Sequence, residues 1–138
     1  SKGGTVELSA LSIAKAHKLI AAKEISAQEL TKAVFDRIDL IDNKINAYVT
    51  VTKEYAKAQL LRLGKQSAIT SPIYGVPIAV KDVLCTKGVR TTCSSKILEN
   101  FVPPYESTVT ARLRKFWLYI YILLPSAIYL WLHLLYYT

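Results

Sequence analysis

Residues 74–82 read Tyr74-Gly75-Val76-Pro77-Ile78-Ala79-Val80-Lys81-Asp82. The apolar run that follows Gly75 and Pro77 predicts a short buried strand, because glycine and proline mark the turn before it. Lys81 ends the run, and a lysine there must reach water, pair with a carboxylate or lose its proton. An unprotonated lysine is a general base, so Lys81 is a candidate catalytic residue. The alternative is that Lys81 ends an ordinary edge strand and pairs with Asp82.

Two further motifs follow this strand, and they extend the pattern to residue 105. They read Cys85-Thr86-Lys87-Gly88-Val89-Arg90-Thr91-Thr92 and Ser94-Ser95-Lys96-Ile97-Leu98-Glu99-Asn100-Phe101-Val102-Pro103-Pro104-Tyr105. Together with Gly75–Asp82 they resemble the amidase signature family, over roughly residues 8 to 114. General amidases share the Gly-x-Pro-x-x-x-Lys-Asp core. The run after Ser94 is similar to the branch that supplies the A subunits of tRNA-dependent amidotransferases.

The resemblance implies a Ser–Ser–Lys catalytic arrangement in which Lys81 takes a proton from a bridging serine. That serine activates a second serine, which attacks the amide carbonyl of glutamine. In the family both serines lie in a later Gly/Ser-rich segment, and no such run occurs in this sequence. Ser94 and Ser95 match a structural strand and turn, so they do not replace the two serines. We therefore expect the 138-residue chain itself to be inactive.

The same resemblance implies what the whole enzyme does. Ammonia released from glutamine would serve the ATP-dependent conversion of Glu-tRNA(Gln), or Asp-tRNA(Asn), to the amidated aminoacyl-tRNA. The implied partners are the B and C subunits of a heterotrimer, together with glutamine, and with aminoacyl-tRNA reached through the complex. ATP and magnesium belong to that complex, so we expect no cofactor and no metal on this chain. The alternatives are a fragment of a stand-alone amidase, and a non-catalytic protein that is anchored in a membrane or serves subunit contact.

The composition divides the chain near residue 115. All 18 Lys and Arg and all 10 Asp and Glu lie in residues 1–115, which therefore carry the whole net charge of +8. Residues 116–138 contain no charged side chain and are rich in Tyr, Leu, Ile and Trp. This tail is long enough for a membrane-spanning helix, which needs about 20 residues. The preferred interpretation is an out-of-frame or aberrantly joined reading, and the alternatives are this membrane-spanning helix and a buried segment of a soluble fold.

Apolar spacing predicts three helices ahead of the strand, in a helical layer over residues 8–64. Ser9 is expected to cap the first helix, which runs to about Lys23, and Ser26-Ala27-Gln28-Glu29 is a capping box for the second, which ends at Asp42-Asn43. Thr52 is expected to cap the third helix. Residues 72–105 are predicted to hold the first core strand (76–84), a second short strand or turn (91–98) and the Lys81 region. A further helix follows Ser107. The predicted fold class is α/β, an incomplete N-terminal portion of the amidase α/β/α fold, with helices followed by the first strands of a mixed sheet.

Cys85 and Cys93 lack the spacing of a metal or redox motif, and the two histidines stand far apart. Unpaired thiols favour a reducing compartment, so we expect a cytoplasmic protein, with the mitochondrial matrix or plastid stroma as alternatives. The lysines are spread along the chain without interleaved aromatic residues, which indicates a solvated surface rather than a nucleic-acid interface.

Overall fold

A computed structural model of the protein describes residues 7–64, 71–115 and 122–124. The helices are α1 (Ile13–Ala21), α2 (Ala27–Ile45), α3 (Lys53–Leu63) and α4 (Thr108–Lys115). The strands are β1 (Thr50–Val51), β2 (Val80–Lys81) and β3 (Ile122–Leu124). Short 3-10 turns cover Leu8–Ala10 and Lys96–Leu98.

Side chains accept free backbone N–H groups at the starts of α1, α2 and α4, whereas Thr52 stands at the N-cap of α3, as predicted, without a side-chain capping hydrogen bond. The Ser26 hydroxyl accepts from the Glu29 N–H at 3.1 Å, and the Glu29 carboxylate accepts from the Ser26 N–H at 2.7 Å, so the predicted capping box is confirmed. Ser107 caps α4 as predicted, because its hydroxyl accepts from the Thr110 N–H at 3.2 Å. The prediction for α1 was wrong: Ser12 caps the helix, and Ser9 lies in the 3-10 turn before it.

The helix ends also depart from the predicted boundaries. Helix α1 stops at Ala21, two residues before the predicted end, and Lys23 then adopts a positive φ of 58°. Helix α2 continues three residues past Asp42, to Ile45, and ends where Asn46 takes the left-handed conformation with φ of 51°. Asn46 can end the helix in this way because asparagine tolerates that conformation better than other non-glycine residues.

Apolar packing joins the first three helices into one layer. Phe35 and Ile38 of α2 pack against Ala56 of α3. The α1 residues Ala16 and Ile20 pack against Leu30 of α2, and the same cluster contains Val76, which follows Gly75 on the way to β2. The helical layer therefore fixes the point at which the chain enters the strand.

The strands form a small mixed sheet in the order β1-β3-β2. Strand β3 pairs antiparallel with β1 and parallel with β2, with Lys81 opposite Leu124. The predicted strand over 76–84 is too long, because the Leu84 N–H donates to the Lys81 carbonyl at 3.0 Å and turns the chain. Residues 91–98 form a turn and a 3-10 helix rather than a strand.

The predicted fold class, helices followed by the short strands of a mixed α/β sheet, is confirmed by this arrangement. The prediction for the 116–138 tail lies outside the described residues, apart from β3. Among the residues that are described, none of the helices has the length and apolar content that crossing a bilayer requires.

Candidate functional site

Lys81 lies at the end of β2, between a buried apolar residue and a buried acid. Val80 packs with Val89 in a cluster that also includes Tyr55 of α3 and Leu113 of α4. The Lys81 side chain is half-buried, and Asp82 is completely buried. The candidate base is therefore held at a position where the sheet, α3 and α4 converge.

The turn before β2 depends on Gly75, which has a φ of +75°. A Cβ at this position would lie 2.9 Å from the Cβ of Ala27 and 3.1 Å from the Cδ1 of Ile20. Only glycine combines a left-handed backbone with so close an approach to two helices. The sequence motif Gly75-Val76-Pro77 thus presses the entrance of β2 onto α1 and α2.

Asp82 links the end of β2 to the segment that begins at Thr91. Its Oδ1 accepts a hydrogen bond from the Thr92 N–H at 2.7 Å, and its Oδ2 accepts one from the Thr92 hydroxyl. Its main-chain carbonyl accepts from the Cys93 N–H at 3.0 Å. A buried carboxylate is tolerated when its oxygens receive hydrogen bonds in this way.

The turn after Thr92 is tight and unusual. Cys93 and Ser94 both have positive φ values, 51° and 57°, although neither is glycine. The Ser95 N–H donates to the Thr92 carbonyl at 2.9 Å, and the Ser94 N–H donates to the Thr92 hydroxyl at 3.2 Å. Thr92 is thus hydrogen-bonded on both sides, to Asp82 and to the turn that follows.

The two cysteines are free thiols near the same place, Cys85 half-buried and Cys93 exposed. Burial raises the pKa of the Cys93 thiol, and the charges of Asp82 and Cys85 raise it further. A hydrogen bond to Cys85 raises the pKa of the Tyr105 hydroxyl. A raised thiol pKa lowers the thiolate fraction, so this environment does not activate Cys93 as a nucleophile.

Two polar anchors hold the loops around β2. Arg90 donates to the carbonyl of Val49 at 2.9 Å and to the carbonyl of Glu99 at 3.0 Å, which ties the loop to β1 and to the 3-10 turn. Glu106 accepts from Arg114 at 2.7 Å and from the Lys87 N–H at 3.2 Å. These anchors were not predicted, because isolated charged residues in loops carry no periodic signal.

Two concave surfaces border the helical layer. A cleft of about 460 Å³ is lined by residues of β1, the start of α3 and the loop 88–90. A groove of about 420 Å³ lies between α2 and α3 and includes Phe35 and Leu60. Lys81 and Asp82 line neither of them. Within the described ranges, no group of three or more potential metal ligands occurs.

The protein-family model described as Amidase matches residues 29–121, which is more than half of the chain. The chain belongs to the amidase family. The match includes α2 from Glu29 onward, α3, β2 and the whole segment from Lys81 to Tyr105. It also ends six residues beyond the division predicted at residue 115.

Curated amidases that match are named as the A subunit of glutamyl-tRNA(Gln) amidotransferase. The one from Desulfatibacillum aliphaticivorans is 50% identical over 107 residues, which are 76% of this chain and 22% of that protein. The one from Geobacter sp. strain M21 is 46% identical over 112 residues, 80% of this chain and 23% of that protein. The chain therefore spans less than a quarter of the length of these relatives.

Solved amidase structures share the fold. A fatty acid amide hydrolase aligns with a TM-score of 0.73 and 22% identity, covering 86% of this chain and 22% of that one. The A subunit of glutamyl-tRNA(Gln) amidotransferase from Thermotoga maritima aligns with a TM-score of 0.62 and 22% identity, covering 86% and 23%. The predicted amidase fold is confirmed by these alignments, which at such identity concern the fold alone.

Proposed function

We propose that this chain is the lysine-bearing portion of the glutaminase subunit of a tRNA-dependent amidotransferase. The supporting observation is the 46–50% identity to proteins named as that subunit, over 107 to 112 residues. In this proposal the subunit releases ammonia from glutamine. The ammonia then serves the ATP-dependent conversion of Glu-tRNA(Gln), or Asp-tRNA(Asn), to the amidated product.

Lys81 is the proposed catalytic residue of this chain. As a general base it takes a proton from a bridging serine, which in turn deprotonates the nucleophilic serine. The attack on glutamine gives an acyl-enzyme and releases ammonia, and water then frees glutamate. The half-buried position of Lys81 at the end of β2 supports this role, because a base must be held still relative to the hydroxyl that it serves.

The two serines of this mechanism come from a Gly/Ser-rich segment that the 138-residue sequence does not contain. The chain alone is therefore proposed to be inactive, and the reaction requires the remaining part of an amidase subunit. The proposed partners are the B and C subunits. ATP and magnesium are proposed to act in the whole complex, and the proposed compartment is the cytoplasm. No residue of this chain is assigned to tRNA, to a cofactor or to a metal.

The test is a hybrid protein, in which the matched residues of this chain replace those of the A subunit from Desulfatibacillum aliphaticivorans. The hybrid is co-expressed with the B and C subunits of that organism, and ammonia released from glutamine is measured. We expect Lys81→Ala to lower the rate by about 10⁴-fold or more, because it removes one member of a catalytic triad. Lys87→Ala, the same change at an exposed lysine six residues away, should keep the rate within about twofold.

Two outcomes would count against the proposal. One is a Lys81→Ala hybrid that releases ammonia as fast as the unmodified hybrid. The other is an unmodified hybrid that assembles and stays inactive while the parent complex is active. Ammonia release from glutamine by the purified 138-residue chain would contradict the separate claim that the chain alone is inactive.

A further inference from the structure

Asp82 is the only acidic residue among the buried polar groups of the described ranges, and none of its surface is exposed. Removing a carboxylate from water strongly destabilises the fold unless hydrogen bonds replace the lost hydration. Here both oxygens bind the same residue, Thr92, through its N–H and its hydroxyl. A carboxylate buried at this cost, next to the candidate base, needs a reason beyond filling space.

The position of Asp82 relative to Lys81 suggests that reason. Asp82 is the first residue after β2 and lies in the turn that follows it, so its hydrogen bonds to Thr92 hold the end of the strand from the turn. On one edge Lys81 is paired with Leu124 of β3, and just beyond it the Leu84 N–H closes a turn onto the Lys81 carbonyl. The Asp82–Thr92 contact also fixes the position of this turn, because it joins the turn to the segment after Thr91.

The backbone after Thr92 gives a second, independent observation. Cys93 and Ser94 both occupy the left-handed region, which is strained for non-glycine residues. Such conformations persist where surrounding contacts over-determine them, and they concentrate at functional sites. The contacts here are the Cys93 N–H to the Asp82 carbonyl and the Ser94 N–H to the Thr92 hydroxyl.

We propose that Asp82 and Thr92 are positioning residues for Lys81: their buried clamp fixes the end of β2, and with it the place of the Lys81 amine. This inference rests on the proposed function, in which Lys81 exchanges a proton with a serine. Neither residue touches the reacting atoms. Loss of the clamp therefore lets the lysine move away from its productive position, without changing how glutamine is bound.

The hybrid protein defined above provides the test. Thr92→Val keeps the size of the side chain and its N–H but removes the hydroxyl, and we expect kcat for glutamine hydrolysis to fall about 10- to 100-fold. The KM for glutamine should stay within about twofold, because the contact is not to the substrate. Thr92→Ser restores the hydroxyl and should recover kcat to within about threefold.

The neighbouring Thr91 offers a matched control. It is equally buried, but its hydroxyl donates to the Val89 carbonyl at 3.2 Å and not to Asp82. Thr91→Val should therefore leave kcat within about threefold of the unmodified hybrid. If the Thr92→Val complex does not assemble, Asp82→Asn is tested in its place. This substitution keeps the side-chain size and an oxygen that can accept from the Thr92 N–H. It should lower kcat by about tenfold at unchanged KM.

The inference is overturned if the Thr92→Val hybrid keeps the full kcat while the Lys81→Ala hybrid has lost activity. If the Thr92→Val complex does not assemble, the same result for Asp82→Asn overturns it. An equal loss of kcat in Thr91→Val would also overturn it, because the effect would then be general destabilisation. If Lys81→Ala retains activity, the proposed function fails and this inference fails with it. The two failures are thus told apart by the same set of variants.

Discussion

The helical layer and the segment from residue 80 to residue 115 are held together in different ways. In the helical layer, the buried side chains are mainly Ala, Ile, Leu and Phe, packed in three apolar clusters. In the later segment most of the fully buried side chains are polar, namely Asp82, Thr86, Thr91 and Thr110. The first region depends on apolar area removed from water, and the second depends on individual hydrogen bonds with fixed directions.

This difference bears on where a catalytic lysine can be placed. Apolar packing tolerates small shifts of one helix against another, because volume matters more than direction. A hydrogen bond weakens steeply when its angle changes, so a network of them holds a backbone to one geometry. The candidate base Lys81 lies where the polar region begins, and the apolar clusters reach the strand before it through Val76 and Val80.

The two regions meet at Gly75, and the largest expected effect is a substitution there. Gly75→Ala places a Cβ 2.9 Å from that of Ala27 on a backbone with φ of +75°. The left-handed strain and the overpacking together should lower the free energy of unfolding by about 3 kcal/mol. Urea denaturation of the full chain, followed by circular dichroism, measures this loss.

Gly88 is the matched control for that experiment. It has nearly the same φ, +77°, but in the described part of the chain no atom beyond its two neighbours lies within 4 Å of the position that a Cβ would occupy. Gly88→Ala should therefore cost about 1 kcal/mol, the strain of the backbone alone. Equal losses for the two glycines would mean that the contact between the helical layer and the entrance of β2 contributes nothing.

The helices were the part of the fold that the sequence predicted well. The second helix forms where apolar spacing predicts it, its residues Leu30 and Ile38 are buried, and the capping box at Ser26 is present. The apolar period and the capping residues are local signals, so they can be read from neighbouring positions. The errors lie at the ends: Ser9 and Ser12 are both good caps, and tertiary contacts rather than propensity select between them.

The polar region was predicted less well, for a physical reason. Lys81 was found from a motif, and its catalytic role stays a prediction. Asp82 was considered only as a possible partner of Lys81, and Thr92 was not singled out. Their contact joins residues that are ten positions apart in loops, where no period links them. The strand over 76–84 was also too long, because strand length depends on pairing partners elsewhere in the chain.

A smaller effect is expected when a buried threonine is replaced by valine, and this substitution can be compared in the two regions. Thr110 is fully buried, and its hydroxyl lies 2.9 Å from the Cys85 carbonyl and 2.8 Å from Oε2 of Glu106. Thr110→Val keeps the volume and removes the hydroxyl, while the Cys85 carbonyl still accepts from the Ser107 N–H and Oε2 of Glu106 from the Lys87 N–H. We therefore expect the loss of one buried hydrogen bond, about 1 kcal/mol in urea denaturation.

Thr31 is the counterpart in the helical layer. It is also buried, and its hydroxyl has no hydrogen-bond partner in the described part of the chain. Thr31→Val should be neutral, or should stabilise the chain by up to about 1 kcal/mol, because an unsatisfied polar group is replaced by a methyl group. A loss at Thr31 as large as that at Thr110 would show that the two regions do not differ in the way described.

The last effect concerns the capping box, where the start of a helix in the apolar layer depends on a hydrogen bond to a carboxylate. Two hydrogen bonds lower the pKa of the Glu29 carboxyl below its ordinary value of 4.5. The larger effect comes from the Ser26 N–H and the smaller one from the Ser26 hydroxyl. Since the folded pKa is the lower one, Glu29 stabilises the fold above the unfolded pKa, and this contribution is lost as the pH falls through the folded pKa.

Urea denaturation between about pH 6 and pH 3 should therefore show a smaller loss of stability for Glu29→Gln than for the unmodified chain, because glutamine does not titrate. Ser26→Ala removes the hydroxyl that receives the Glu29 N–H, and should cost about 1 kcal/mol near neutral pH. An acid-induced loss of equal size in the Glu29→Gln chain would show that ionisation at this cap does not matter. The charge of this cap would then contribute nothing to the apolar layer, and the contrast with the polar region around Asp82 and Thr110 would be sharper than described.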